Sequence, residues 1–97
     1  MIIRIVKMTF LPERVDDFLE VFGNFKEKIR AFEGCSKVEL LQDVRQPHVF
    51  FTYSWWDSET HLNNYRHSEL FQSTWAKTKQ LFSDKAEAWS LESKVEL

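Results

Sequence analysis

The chain has 97 residues, of which 43% are hydrophobic and 15% aromatic, with only two Gly and two Pro. This composition excludes a disordered or collagen-like chain, and a single Cys excludes a disulfide-rich scaffold. The formal net charge of −2 comes without a basic block, which argues against a nucleic-acid-binding surface. The length predicts a single domain over residues 1–97. Because no apolar run reaches membrane-spanning length and no signal-peptide pattern opens the chain, we expect a cytoplasmic protein without membrane contact.

The first predicted elements are a strand and a long helix. Residues 2–10 alternate in a strand pattern that places apolar groups on both faces. Pro12 suits the first turn of a helix, and Gly34 suits its C-terminal cap. Between them, apolar residues recur every three or four positions and predict an amphipathic helix, whose Phe18, Phe22, Phe25 and Phe32 are expected to pack on a sheet.

Three further strands and two further helices complete the predicted order. Residues 36–42 and 48–56 have strand patterns, and the second of these is apolar on both faces. Asp57 or Ser58 is suited to cap a short helix that ends at Arg66, and Ser68 is suited to cap a longer one. Residues 87–95 are expected to form the last strand.

This order predicts a ferredoxin-like βαββαβ arrangement of the α+β class, with a four-stranded antiparallel sheet and helices on one face. A sheet with one face in water alternates apolar and polar residues, whereas the first and third predicted strands are apolar on both faces. The second face therefore needs a cover, and no segment is left over to supply it. We expect a twofold homodimer, sheet against sheet, with Val95 and its neighbours contacting the other protomer.

Two motifs carry a resemblance to a known family. Residues 50–59 lead from strand to helix through Trp56-Asp57-Ser58-Glu59, and the first helix is followed by Phe32-Glu33-Gly34-Cys35. With them the chain resembles the antibiotic biosynthesis monooxygenases, which are dimeric α+β barrels. The resemblance covers nearly the whole chain. It implies a cofactor-independent monooxygenase that oxidises a small, planar, hydrophobic phenol or quinol in a pocket between the sheet and the helices.

Some positions depart from branches of that family. Haem-degrading relatives carry an Asn on the first strand, a Trp on the middle helix and a His ligand on the next helix. The corresponding positions here are Val6 (or Lys7), Tyr65 and Trp75, and a Trp cannot bind iron. Many quinol-oxidising members carry a His where this chain has Tyr65. The resemblance therefore does not extend to haem degradation, and it is weaker for quinol oxidation.

The resemblance and the residue types together nominate a site. Arg4 would steady an anion, and His67 or Tyr65 would move a proton. The alternative for Arg4 is a salt bridge to Glu39 or another carboxylate, and the alternative for His67 is an exposed position between two helices. The aromatic and aliphatic residues of the expected pocket are equally consistent with ordinary core packing; they are Val6, Phe22, Tyr53, Trp56, Phe71 and Trp75.

No pattern indicates a metal or a bound cofactor. His61 and His67 do not share one helix face, and the chain has no Cys–His cluster and no Gly-rich phosphate loop. Two alternatives to an enzyme stay open at this point. One is a non-catalytic dimeric module that binds a hydrophobic metabolite or haem, and the other is a purely structural dimer whose aromatic residues are all buried.

Overall fold

A computed structural model describes all residues, 1–97, and contains four strands and three α-helices. A short 3-10 turn at Pro12–Arg14 precedes the first helix. The elements in chain order are β1 at Ile2–Thr9, α1 at Val15–Arg30, β2 at Cys35–Gln42, β3 at Val49–Trp56, α2 at Glu59–Arg66, α3 at Glu69–Lys79 and β4 at Glu87–Leu91.

The strands form one antiparallel sheet in the order β2-β3-β1-β4. This is the predicted ferredoxin-like arrangement, and the prediction is confirmed. The register places Val38, Ser54, Arg4 and Ser90 side by side across the sheet. Because side chains alternate along a strand, this row and every second row beyond it face the helices.

The first helix is shorter than its sequence pattern predicts. The α-helix ends at Arg30, and Gly34 is not its cap. The amide of Cys35 instead donates to the carbonyl of Phe32 at 3.0 Å, which closes a turn that leads into β2. Gly34 has φ +89° in this turn, the conformation that glycine adopts without strain.

Both later helices begin where the sequence predicts. The Ser58 hydroxyl accepts a hydrogen bond from the amide of His61 at 3.2 Å, and the Ser68 hydroxyl accepts one from Phe71 at 3.1 Å. Each serine thus satisfies an amide that has no partner within its helix. The last strand is shorter than predicted, because β4 ends at Leu91 and Val95 lies beyond it, 77% exposed.

The core between the sheet and the helices consists of two separate clusters. The phenylalanine cluster contains Met8, Phe10, Phe18, Phe50 and Leu81, with the rings of Phe10 and Phe18 stacked at 4.2 Å between centroids. The tryptophan cluster contains Cys35, Trp56 and Leu62.

The expected packing of Phe25 on the sheet is wrong. Its ring lies under the ammonium groups of Lys28 and Lys77, at 5.6 and 5.3 Å from the ring centroid. Lys77 belongs to α3, so Phe25 faces the neighbouring helix and its ring stays partly exposed. Cations over aromatic faces attract the ring electrostatically, which favours this position at a helix–helix boundary.

The second face of the sheet carries no helix of this chain. The register aligns Glu39, Tyr53, Ile5 and Trp89 in one row of this face, which we call the open face. Trp89 on it is 41% exposed, and the ammonium of Lys37 lies 4.8 Å from the Trp55 ring centroid. The open face therefore presents apolar side chains beside charged ones such as Glu39 and Lys37.

Candidate functional site

A cavity of about 340 Å³ lies between the sheet and the helices. Met8 and Phe18 of the phenylalanine cluster line it on one side, and Leu62 of the tryptophan cluster lines it on another. The two clusters thus do not meet as one continuous core, and the space between them is open to a ligand. Its volume is at the lower end of the roughly 300–1,000 Å³ typical of small-molecule sites.

Every strand and every α-helix contributes to the wall of the cavity. The strands contribute Arg4, Val6, Met8, Val38, Thr52, Ser54 and Ala88, with Ala86 just before β4. The helices contribute Phe18, Phe22, Ile29, Leu62, Tyr65, Arg66, Phe71, Thr74, Trp75 and Thr78.

Arg4 lines the cavity from β1 without a carboxylate partner. Its Nη1 donates a hydrogen bond to the Ser90 hydroxyl at 2.9 Å. The expected salt bridge to Glu39 is wrong, because Glu39 pairs with Tyr53 on the open face. Burial, and secondarily the charge of Arg66, lower the pKa of Arg4 from its usual value. The guanidinium stays charged, because an arginine pKa begins far above neutrality.

Tyr65 combines a packed ring with an available hydroxyl. Its ring stacks on Trp56 at 4.9 Å and meets Phe71 edge-on at 5.3 Å between centroids. Burial, and secondarily the charge of Cys35, raise the pKa of Tyr65 well above its usual value, so the phenol stays protonated near neutrality. The hydroxyl has no hydrogen-bond partner in the protein and is not sealed in the core. It is therefore a hydrogen-bond donor available to a ligand.

Helix α3 supplies the aromatic wall. The rings of Phe71 and Trp75 lie nearly parallel, at 5.9 Å between centroids and an angle of 11°. The hydroxyls of Thr74 and Thr78 donate to backbone carbonyls of their own helix at 2.7 and 2.8 Å. Flat rings in this arrangement form a surface suited to a planar apolar ligand.

The structure brings six of the nine predicted site residues together at this cavity: Arg4, Val6, Phe22, Tyr65, Phe71 and Trp75. It places the other three elsewhere. Tyr53 lies on the open face, since alternation along β3 directs it away from Ser54. Trp56 is fully buried behind Tyr65, and its Nε1 donates to the Ser54 hydroxyl at 2.8 Å.

His67 lies at the outer end of α2. Its side chain is exposed, and its Nδ1 donates to the Asn63 carbonyl at 2.7 Å, because a carbonyl oxygen can only accept. It is not part of the cavity wall. A part for His67 in catalysis stays a prediction.

Sequence reasoning missed five polar residues that line the cavity: Thr52, Ser54, Arg66, Thr74 and Thr78. Two of them, Ser54 and Arg66, were recoverable from spacing. Ser54 lies two residues from Trp56 on the same face of β3, and Arg66 lies four residues after Leu62 on the same face of α2. In neither case does the residue type attract notice in the sequence, because an exposed Ser or Arg is common on any protein surface.

The structure shows no group of three His, Cys, Asp or Glu side chains arranged to hold a metal ion. None of its helices has both the length and the apolar character that a bilayer crossing requires.

The family model described as antibiotic biosynthesis monooxygenase matches residues 1–77. The chain belongs to this family. The antibiotic biosynthesis monooxygenase fold extends over nearly all of the chain. A conserved protein from Methanosarcina mazei superimposes with a TM-score of 0.90 at 22% identity, over 97% of this chain and 94% of its own.

Two further structures have the same fold. One described as an antibiotic biosynthesis monooxygenase has a TM-score of 0.90 at 19% identity, over 96% of this chain and 98% of its own. A protein from Mycobacterium tuberculosis has a TM-score of 0.89 at 16% identity, over 98% and 96% of the two chains. At such identities the likeness establishes the fold alone. Among curated protein sequences, none matches this chain.

Proposed function

We propose that this antibiotic biosynthesis monooxygenase family member oxidises a small, planar, apolar phenol or quinol with dioxygen, without a bound cofactor. The observation that carries the proposal is the cavity itself. It presents flat aromatic walls from α3, and it presents the Arg4 guanidinium and the Tyr65 hydroxyl as donors. This combination suits a ligand with an aromatic body and one oxygen that becomes negative.

The chemistry needs little from the protein. Once the phenol has lost its proton, the anion supplies the electrons that reduce dioxygen. A bond forms between a ring carbon and one oxygen atom, and the O–O bond breaks. That oxygen stays on the ring as a quinone carbonyl, and the other leaves as water with the hydrogens of the substrate O–H and C–H. Donors that stabilise the anion lower the barrier to the first step.

Each polar group then has a definite task. Arg4 stabilises the substrate anion, because its remaining N–H groups are free to donate beyond Ser90. Tyr65 donates a hydrogen bond and does not act as the base, since burial raises the pKa of its phenol. His67, exposed beside Arg66 with Nε2 free, receives the released proton at the edge of the site.

Oxygen consumption with a panel of phenols and quinols tests the proposal. We expect protein-dependent uptake with at least one compound, and product oxygen that comes from isotopically labelled dioxygen. The variant Ala88→Phe places a ring at the cavity wall and should abolish uptake, whereas Ala76→Phe on the exposed side of α3 should leave it unchanged. A folded protein that consumes no oxygen with any compound of the panel contradicts the proposal.

The proposed working unit is a homodimer that buries the open face. Phe51, Tyr53 and Trp55 lie on that face at β3, and Trp89 and Leu91 continue it at β4. No element of the chain covers these residues, whereas residues of all three helices line the cavity on the other face. A large apolar surface of this kind is typical of an association site, and a second copy presents a matching one.

Sedimentation analysis of two lysine variants tests the dimer. Trp89→Lys adds a charge to the open face, and Val44→Lys makes the same change in charge at a turn where the side chain is 96% exposed. We expect Trp89→Lys to favour the monomer and Val44→Lys to leave the dimer intact. Truncation after Leu91 should weaken the dimer if the residues near Val95 contact the partner. A monomeric wild-type mass at micromolar concentration contradicts the proposal.

A further inference from the structure

We propose that the cavity selects planar apolar ligands that enter already ionised, and that Arg4 and Arg66 together bind their oxyanion. The oxyanion is a carboxylate or the phenolate of an acidic phenol. The inference rests on the proposed function in one respect, because it specifies the ligand class of the same site.

All the charged side chains of the cavity wall are positive. Arg4 and Arg66 line it, and the remaining residues of the wall include no Asp, Glu, His, Lys or Cys. Neither arginine is neutralised elsewhere, since the ion pairs of the molecule join Arg14 to Asp17 and Lys94 to Glu92. Two cations thus border a largely apolar space that contains no anion of the protein.

Without an anion this arrangement is unfavourable at Arg4, which is half-buried, whereas Arg66 is exposed and keeps its hydration. A partly buried guanidinium loses hydration, and a second positive charge nearby adds repulsion. Both effects act on Arg4, because burial and, secondarily, the charge of Arg66 lower its pKa. An oxyanion placed between the two guanidinium groups removes the repulsion and forms charge-assisted hydrogen bonds with both, which are about twice as strong as neutral ones.

The neutral polar groups near the arginines also favour an acceptor ligand. The Tyr65 hydroxyl has no partner in the protein. The Ser54 oxygen accepts from Trp56 Nε1 at 2.8 Å, which leaves its own hydroxyl hydrogen free to donate. Ser54 is also the direct strand neighbour of Arg4. Donors on β1, β3 and α2 therefore line the same cavity.

The wall has no group that takes a proton from a weak acid near neutrality. Tyr65 stays protonated because burial raises its pKa. The hydroxyls of Thr74 and Thr78 are bonded to carbonyls of α3 and have no basic character. An ordinary phenol would have to enter neutral and lose its proton to solvent or to His67 outside the wall. A ligand that is ionised in solution has no such requirement.

Calorimetric binding of matched probes tests the inference. Naphthoate is an anion near pH 7, naphthamide is its neutral isostere, and a nitronaphthol provides an acidic phenolate. We expect naphthoate or the nitronaphtholate to bind at least about tenfold more tightly than naphthamide, and added salt to narrow the difference. The anion that binds more tightly identifies whether the cavity prefers a carboxylate or a phenolate.

Single variants then locate the anion. Arg4→Met and Arg66→Met should each reduce the affinity for the anionic probe about tenfold and leave the affinity for naphthamide unchanged. Arg14→Met removes a surface arginine that pairs with Asp17 and should change neither affinity. Arg4→Lys keeps the charge, and we expect it to retain part of the preference.

The outcomes separate this inference from the proposed function. Equal affinities of wild-type protein for naphthoate and naphthamide overturn the inference and leave the cavity as a general aromatic site. The same holds if the preference for the anion survives both methionine variants. If the wild-type protein binds none of the probes, the inference fails, and oxygen uptake with the phenol and quinol panel decides the proposed function separately. The comparison on wild-type protein needs no variant to fold.

Discussion

The Arg4 guanidinium donates to the Ser90 hydroxyl across the β1–β4 pair at 2.9 Å, and this neutral oxygen is the only protein acceptor that it has. A hydroxyl can orient a cation, but it cannot neutralise one. Arg4 is therefore positioned at the cavity with its charge uncompensated. This relationship distinguishes a site that awaits an anion from a buried ion pair that only stabilises the fold.

Replacing Arg4 should therefore stabilise the empty protein. Arg4→Met retains the aliphatic stem and removes the charge opposed by burial and by Arg66. Because the side chain is partly exposed, solvent screens the effect, and we expect the free energy of unfolding to rise by at most about 1 kcal/mol. Denaturant titration without ligand measures it, with Arg14→Met as the surface control. A loss of more than about 2 kcal/mol would show that Arg4 is a structural residue.

The two glycines should respond oppositely to the same substitution. Gly23 lies in α1 with φ negative and open space around its Cα, so Gly23→Ala should raise the free energy of unfolding by about 1 kcal/mol. Gly34 has φ +89°, and a Cβ there would collide with the His61 ring. Gly34→Ala should therefore destabilise the protein by about 2 kcal/mol or more. Parallel urea titrations measure the free energy of unfolding of both variants. Changes of the same sign would contradict the described turn at Gly34.

The start of α3 provides a matched test with two serines. Ser68→Ala removes the hydroxyl that accepts from the amide of Phe71 at 3.1 Å, and we expect a loss of about 1 kcal/mol. Ser73 lies inside the same helix, is exposed, and donates only to the Leu70 carbonyl. Ser73→Ala should change the free energy of unfolding by less than about 0.5 kcal/mol, because Ala is the better helix former. Similar losses for the two variants would mean that Ser68 does not cap the helix.

Tyr65 should make stability depend on alkaline pH. Burial raises the pKa of its phenol above the value of about 10 for an exposed tyrosine. At a pH between the pKa of an exposed tyrosine and the raised pKa of folded Tyr65, the unfolded chain has lost this proton and the folded chain still holds it. Folding therefore becomes less favourable as pH rises. We expect the free energy of unfolding to fall above about pH 10 by up to about 1.4 kcal/mol per pH unit from this group.

The variant Tyr65→Phe isolates that contribution. It keeps the ring stacked on Trp56 and removes a hydroxyl that has no partner in the protein. Below about pH 9 the variant and the wild type should differ by less than about 0.5 kcal/mol. Above that pH the variant should lose less stability than the wild type, because other titrating groups cancel in the difference. If the free energies of unfolding of the variant and the wild type fell equally with pH, the phenol of Tyr65 would not be buried.

Local patterns were sufficient for the elements and the topology. Alternation marked the strands, a three-to-four residue repeat marked α1, and Ser58 and Ser68 marked two helix starts. These signals depend on neighbours in the chain, and so does the strand–helix order that produces the ferredoxin-like sheet. The predicted end of α1 was less accurate, because a glycine can end a helix or lie in the turn that follows it. Gly34 is typical of a helix end, and here it serves the turn that follows.

The site depended on distances that no local pattern encodes. Tyr53 and Trp56 are both aromatic residues of β3, yet one faces the open side and the other is sealed behind Tyr65. The expected partner of Arg4, Glu39, was of the right charge and on the wrong face. Choosing between such residues requires the register of neighbouring strands and the position at which α2 rests on β3.

The amino-acid sequence by itself determines the order of the strands and helices and the apolar character of β1 and β3 on both sheet faces. These features follow from the periodic spacing of apolar residues that are neighbours in the chain. The cavity and its two arginines do not. Arg4 and Arg66 come from distant parts of the chain, and they border one space because the core packs as two clusters that do not meet. A gap between packed groups is a property of the assembled fold, which is why the anion-selective end of this cavity emerged only in three dimensions.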